Sequence, residues 1–174
     1  MTVRALPALS LSLLALSLGS CGPDDPAAPA ALVPASYASY TQVRGCRTTT
    51  EHLSAASSGA AADHVRVLTS PEAASAYLAN APTLPTGTVV IKEEFNDPDC
   101  ARVTAWTVMR KEQGYDPAHG DWHWQRVRAD YRERADGSEE RVVGAVLEDG
   151  RVSRCFNCHD TPACVARDWM CTEP

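Results

Sequence analysis

Cys155-Phe156-Asn157-Cys158-His159 sets two thiols three positions apart and follows the second directly with an imidazole. In a C-x-x-C-H pattern each thiol adds across a vinyl group of haem to form a thioether, and the histidine ligates the iron. The expectation is one covalently attached haem c, held by Cys155 and Cys158 with His159 on the metal. Three other chemistries compete for the same residues. A zinc site needs two further ligands, which Cys164, Cys171 or His123 could supply. A thioredoxin-like redox pair belongs at a βαβ junction near the start of its domain, whereas this pair lies near the carboxyl end. A plain disulfide is the third.

The amino terminus favours haem, because c-type attachment takes place outside the cytoplasm. Arg4 precedes an apolar run from Leu6 to Leu18, too short to span a bilayer but suited to the core of a secretory signal. The run closes on Leu18-Gly19-Ser20-Cys21, which resembles a bacterial lipobox. Residues 1–20 therefore read as a lipoprotein signal peptide, Cys21 as the lipidated first residue of the mature chain, 21–35 as a Pro/Ala-rich tether, and 36–174 as the folded domain. Contact with a membrane is expected through the lipid alone, in the periplasm or cell envelope. Such a compartment is oxidising. Of the seven cysteines, one is assigned to lipid and two to haem, leaving Cys46, Cys100, Cys164 and Cys171. Three pairings are open, and the local one, Cys46 with Cys100 and Cys164 with Cys171, is favoured.

These residues need a scaffold, and the sequence describes it by alternation. Tyr37, Tyr40 and Val43 recur at helical spacing and predict a short helix ending near Gly45. Residues 54–62 read as a loop, and His64 to Leu68 as a strand. Ser70-Pro71 opens a helix to about Ala79, with Ser70 as N-cap. Strands follow over 88–95, Val103 to Met109, Asp121 to Tyr131 and Arg141 to Leu147. Asp149-Gly150 then predicts a hairpin onto Arg151 to Ser153, and a terminal helix is expected around Val165 to Met170. The class is α+β, a predominantly antiparallel sheet with short flanking helices.

Composition and position exclude other readings. With 174 residues, 44% hydrophobic and 22% charged, the chain suits one globular domain with an appendage. A net charge of -6 without a basic stretch gives no footprint for nucleic acid. Only 15 residues follow His159, too few for the helices and distal methionine of the common electron-transfer cytochromes c. Alternation in the preceding hundred residues excludes the helical-bundle cytochromes c′.

GTVVIKEEF, WTVMRKEQGYDPAHGDWHW and CFNCHD, in this order, resemble the cytochrome P-460 family, which includes the β-sheet cytochromes c′-beta; the likeness spans residues 36 to 170. It implies a small exported haem c protein whose five-coordinate iron faces an open pocket. Some members oxidise hydroxylamine or nitric oxide, and others bind nitric oxide or carbon monoxide without turnover. A diatomic or nitrogenous ligand, a redox-partner cytochrome and a homodimer are implied as partners. In cytochromes P-460 proper a strand lysine is cross-linked to the haem ring, and Lys92 holds the matching place; the alternative is a solvent-facing strand lysine paired with Glu94 or a cross-strand acid. The four extra cysteines depart from the family pattern, and with only Phe95 and Phe156 present an aromatic cap over the iron would use Phe95 or a tryptophan.

Four residues remain as candidates. His119 and His123, near Asp116 and Asp121, could relay protons, against a reading as solvated loop side chains. Met109 and Met170 could be sixth ligands, against Met109 in the core and Met170 packing at the haem edge.

Overall fold

The computed structural model describes residues 27–49 and 64–171. Six strands follow one another in a single sheet in chain order: β1 (Thr41–Thr48), β2 (His64–Thr69), β3 (Val89–Phe95), β4 (Val103–Lys111), β5 (Trp122–Glu133) and β6 (Glu139–Gly150). Every neighbouring pair is antiparallel. This is the meander that alternation and turn residues predict. Helices are short: α1 (Ala74–Leu78), α2 (Ser153–His159) and α3 (Pro162–Val165), with single 3-10 turns at Tyr37–Ser39, Pro71–Ala73 and Pro117–His119.

Both faces of the sheet are packed, because the central strands β3, β4 and β5 carry apolar residues in both parities. One face joins Ile91, Phe95, Val103, Trp106, Val108 and Val127 to Leu32, Val33 and Tyr37 from the amino-terminal segment. That segment is pinned by the buried Gln125, whose Oε1 accepts from the Leu32 amide at 2.6 Å and whose Nε2 donates to the Ala30 carbonyl at 3.0 Å. On the second face Val67, Val90, Met109, Trp122 and Trp124 pack against Tyr77, Leu84, Trp169 and Met170. The two buried carboxylates of β3 face opposite ways and each is paired. Glu93 meets Arg66 at 2.6 Å, and Glu94 meets Arg126 at 2.9 Å. Pairing offsets the desolvation that burial imposes.

Four expectations about elements are corrected. The helix over Tyr37 to Gly45 is a single 3-10 turn followed by strand β1. As the outer strand of the sheet, β1 buries only Val43, so its sequence lacks the apolar alternation that marks a strand. No hairpin follows Asp149-Gly150; Gly150, at φ +98°, ends β6 and turns the chain into α2. The terminal helix is the single turn α3, earlier than expected, and beyond it Asp168 and Trp169 take left-handed backbone, at φ +54° and +68°. The helix expected from Ser70 to Ala79 is a 3-10 turn leading into α1, and Ser70 Oγ accepts from the Val89 amide rather than capping it. Cys21, the tether up to residue 26 and the loop over 54–62 lie outside the described residues.

Candidate haem site

Register places the site before any helix is added. Val67 pairs with Lys92, Lys92 with Thr107 and Thr107 with Arg126, so these four stand in one row across β2 to β5. The next row on the same face holds Thr69, Val90, Met109 and Trp124, and the one beyond it pairs Lys111 with Trp122. A one-residue slip in any strand would turn these side chains to the other face.

Helix α2 carries Cys155, Cys158 and His159 over this floor. Arg154 ties it to β6 through Glu148, with Nε 2.9 Å from the carboxylate. Phe156 stacks on His119, centroids 4.0 Å apart. His119 is fixed in turn by Asp116 at 2.8 Å. Val152, Cys155 and Phe156 pack on the second core. A cavity partly open to solvent is lined by Val67, Val90, Lys92, Thr107, Met109 and His159, and by Tyr77, Met170 and Cys171.

The electrostatics of the cavity favour neutral groups. Burial, reinforced by the nearby Lys92 charge, pushes His159 down to about 4, against the hydrogen bond that favours its charged form. Burial pushes the Cys155 thiol up to about 11. Burial also lowers Lys92, with the Glu94 carboxylate opposing. Glu94 is committed elsewhere: Arg126 donates to it at 2.9 Å and the Thr107 hydroxyl at 2.6 Å. Among the described residues the Lys92 ammonium has no hydrogen-bond partner. Lys92 is thus a pocket residue, not an exposed strand lysine.

Haem fits this donor set. Cys155 and Cys158 are free thiols, whereas Cys46 is bridged to Cys100 and Cys164 to Cys171. His159 donates through Nδ1 to the Trp169 carbonyl at 2.6 Å, which leaves Nε2 with the lone pair a metal requires. The Trp124 ring stands edge-on to His159 at 4.8 Å, and its buried Nε1 has no partner among the described residues. Zinc lacks its further ligands, since Cys164 and Cys171 are joined and His123 is held by Glu112 and Asp149 at 2.8 and 2.9 Å.

Of the candidate residues, Lys92, His159, Met109 and Met170 meet at the cavity. His119 and His123 do not line it. His119 braces α2 from behind, and His123 stacks on Tyr115 at 4.6 Å. Asp121 accepts from the Asp116 amide at 3.2 Å and shapes the loop. Phe95 lies in the opposite core, so Trp124 is the aromatic nearest His159 in the second. Sequence reasoning missed Thr107, Tyr77 and Val67 in the lining, and missed the buried pair Lys111–Asp168 behind it. A charged residue continuing an apolar strand, as Lys111 does after Val108 and Met109, is the signal that was present.

No curated protein compared with the chain matches it. The family model for cytochrome P-460 matches residues 34–172. That span takes in the whole sheet, the motif helix and the strap of residues 166–171 behind it, and the chain belongs to the cytochrome P-460 family, whose members are haem proteins.

Proposed function

We propose that the protein is a mono-haem c-type cytochrome with an open iron position, which binds or oxidises small nitrogen compounds such as hydroxylamine or nitric oxide. The observation that carries this reading is an imidazole held through Nδ1 by the Trp169 carbonyl, beside two free thiols, facing a cavity whose other walls are mostly apolar apart from Lys92 and Thr107. Cys155 and Cys158 hold the cofactor and His159 ligates it. When bound, haem supplies an iron that takes one small ligand and passes single electrons.

The chain's own residues do the rest. Val67, Val90, Tyr77 and Met109 line the cavity with largely apolar surface. Thr107 gives its hydroxyl proton to Glu94 and presents a polar oxygen at the wall. Lys92 stands on the same floor as the candidate for a second covalent link to the ring. Export, a lipid on Cys21 and electron exchange with another cytochrome complete the proposal, supported by the Leu18-Gly19-Ser20-Cys21 run and the tether behind it.

Intact mass after acid-acetone extraction tests attachment: haem is retained by the wild type and lost when Cys155→Ser and Cys158→Ser are combined. The reduced protein should bind carbon monoxide and nitric oxide. Low-spin iron in both oxidation states, insensitive to either gas, would instead assign Met109 or Met170 as sixth ligand and make the protein an electron carrier. A haem-modified Lys92 peptide places it with the oxidising members, and an unmodified one with the ligand-binding members.

A further inference from the structure

Behind His159 the chain makes an unusual path. Asp168 and Trp169 are consecutive non-glycine residues in the left-handed region, a conformation that persists only where surrounding contacts over-determine it. The contacts converge on Asp168. Lys111 Nζ donates to both its carboxylate oxygens at 2.6 Å, and the Leu84 amide donates to Oδ2 at 2.7 Å. Trp122 Nε1 donates to its backbone carbonyl at 2.9 Å. Lys111 is 9% exposed and Asp168 6%, so the pair is shielded from solvent. Its ammonium also donates to the Gly120 carbonyl at 3.0 Å. One peptide further on, the Trp169 carbonyl accepts from His159 Nδ1.

We propose that Lys111 and Asp168 are positioning residues for the iron ligand: their buried ion pair fixes the Trp169 carbonyl on the Nδ1 hydrogen of His159 and so sets how strongly that imidazole donates electrons to the metal. The inference rests on His159 being the ligand, as proposed above. A hydrogen bond accepted from the far nitrogen of a ligating imidazole fixes its tautomer and raises its basicity. Here the acceptor is a backbone carbonyl whose direction depends on two left-handed residues, and those depend on a cation two strand rows from Lys92. Both lysines of the chain thus serve one site, Lys92 at its floor and Lys111 from behind.

The test is resonance Raman of the ferrous haem-loaded protein, which reads the iron–histidine stretch, together with its midpoint potential. Asp168→Asn keeps an acceptor for the Leu84 amide but removes the charge. It should move the stretch to lower frequency and raise the potential, whereas Lys111→Arg, which keeps the cation, should stay nearer the wild type. If Asp168→Asn does not fold, Lys111→Gln is read the same way. An unchanged stretch and potential in a folded charge-removing variant overturns the positioning role and leaves His159 as ligand. A wild-type protein whose ferrous haem is five-coordinate and high-spin yet shows no iron–histidine stretch overturns the ligand assignment itself, and the inference with it; if the ferrous iron is low-spin, the midpoint potential alone decides between the variants.

Discussion

Gly120 lies directly beneath the indole of Trp169: a Cβ at position 120 would stand 2.7 Å from Trp169 Cδ1 and 3.1 Å from Trp122 Cδ1. Its φ of +68° adds a backbone demand to the steric one. Gly120→Ala should therefore cost about 1–3 kcal/mol and push Trp169 outward. Urea denaturation measures the first effect, and a change in tryptophan emission before the transition reports the second.

Glu94 is fully buried, and Arg126 is the cation that holds it. Removing one member of such a pair leaves a carboxylate without its counter-charge. Arg126→Met should destabilise the protein by about 3 kcal/mol, and adding Glu94→Gln should recover part of that loss. Denaturation of the two variants side by side gives the comparison.

The disulfides close loops of very different size, 54 residues apart for Cys46–Cys100 and 7 for Cys164–Cys171. Loop-closure entropy predicts a loss of about 4 kcal/mol for the paired serine variant at the first and about 2.5 kcal/mol at the second. The smaller loss should fall on the site, because Cys171 lines the cavity. Midpoints of unfolding and carbon monoxide affinity separate the two consequences.

Burial, more than any charge, raises Tyr37 from 10.0 to about 12. The folded protein keeps this proton where the unfolded chain loses it. The stabilisation is present below pH 10 and is lost as pH rises through 12. Tyr37→Phe should flatten that alkaline limb, removing a pH-dependent change of about 3 kcal/mol. Guanidinium titrations across the alkaline range check it.

How far the sequence discloses the fold depends on what each residue faces. Val89, Ile91 and Phe95 alternate with Val90 and Lys92 because β3 is central and packed on both sides, so its period is legible. In β1 only Val43 is buried, and the helical spacing of Tyr37, Tyr40 and Val43 mimics an amphipathic turn. The motif residues are legible because the proposed haem attachment would fix their spacing along the chain. Lys111 and Asp168 are 57 positions apart, and neither has a local partner that would mark it. Only the register of β4 against β5, and the return of the chain after α3, bring them together.

Because the sheet runs in chain order and α2 and the strap come last, every strand is made before Cys155. On the proposed export, Cys46 and Cys100 reach the oxidising compartment ahead of the motif and can be oxidised to each other first. The remaining four described thiols, Cys155, Cys158, Cys164 and Cys171, are then delivered together at the tail. Two of them must close a bridge, and on the proposed attachment two must stay reduced for the cofactor. On that reading maturation becomes a race at the carboxyl end, in which premature oxidation of the wrong neighbour yields a folded sheet that must be reduced again before it can be loaded.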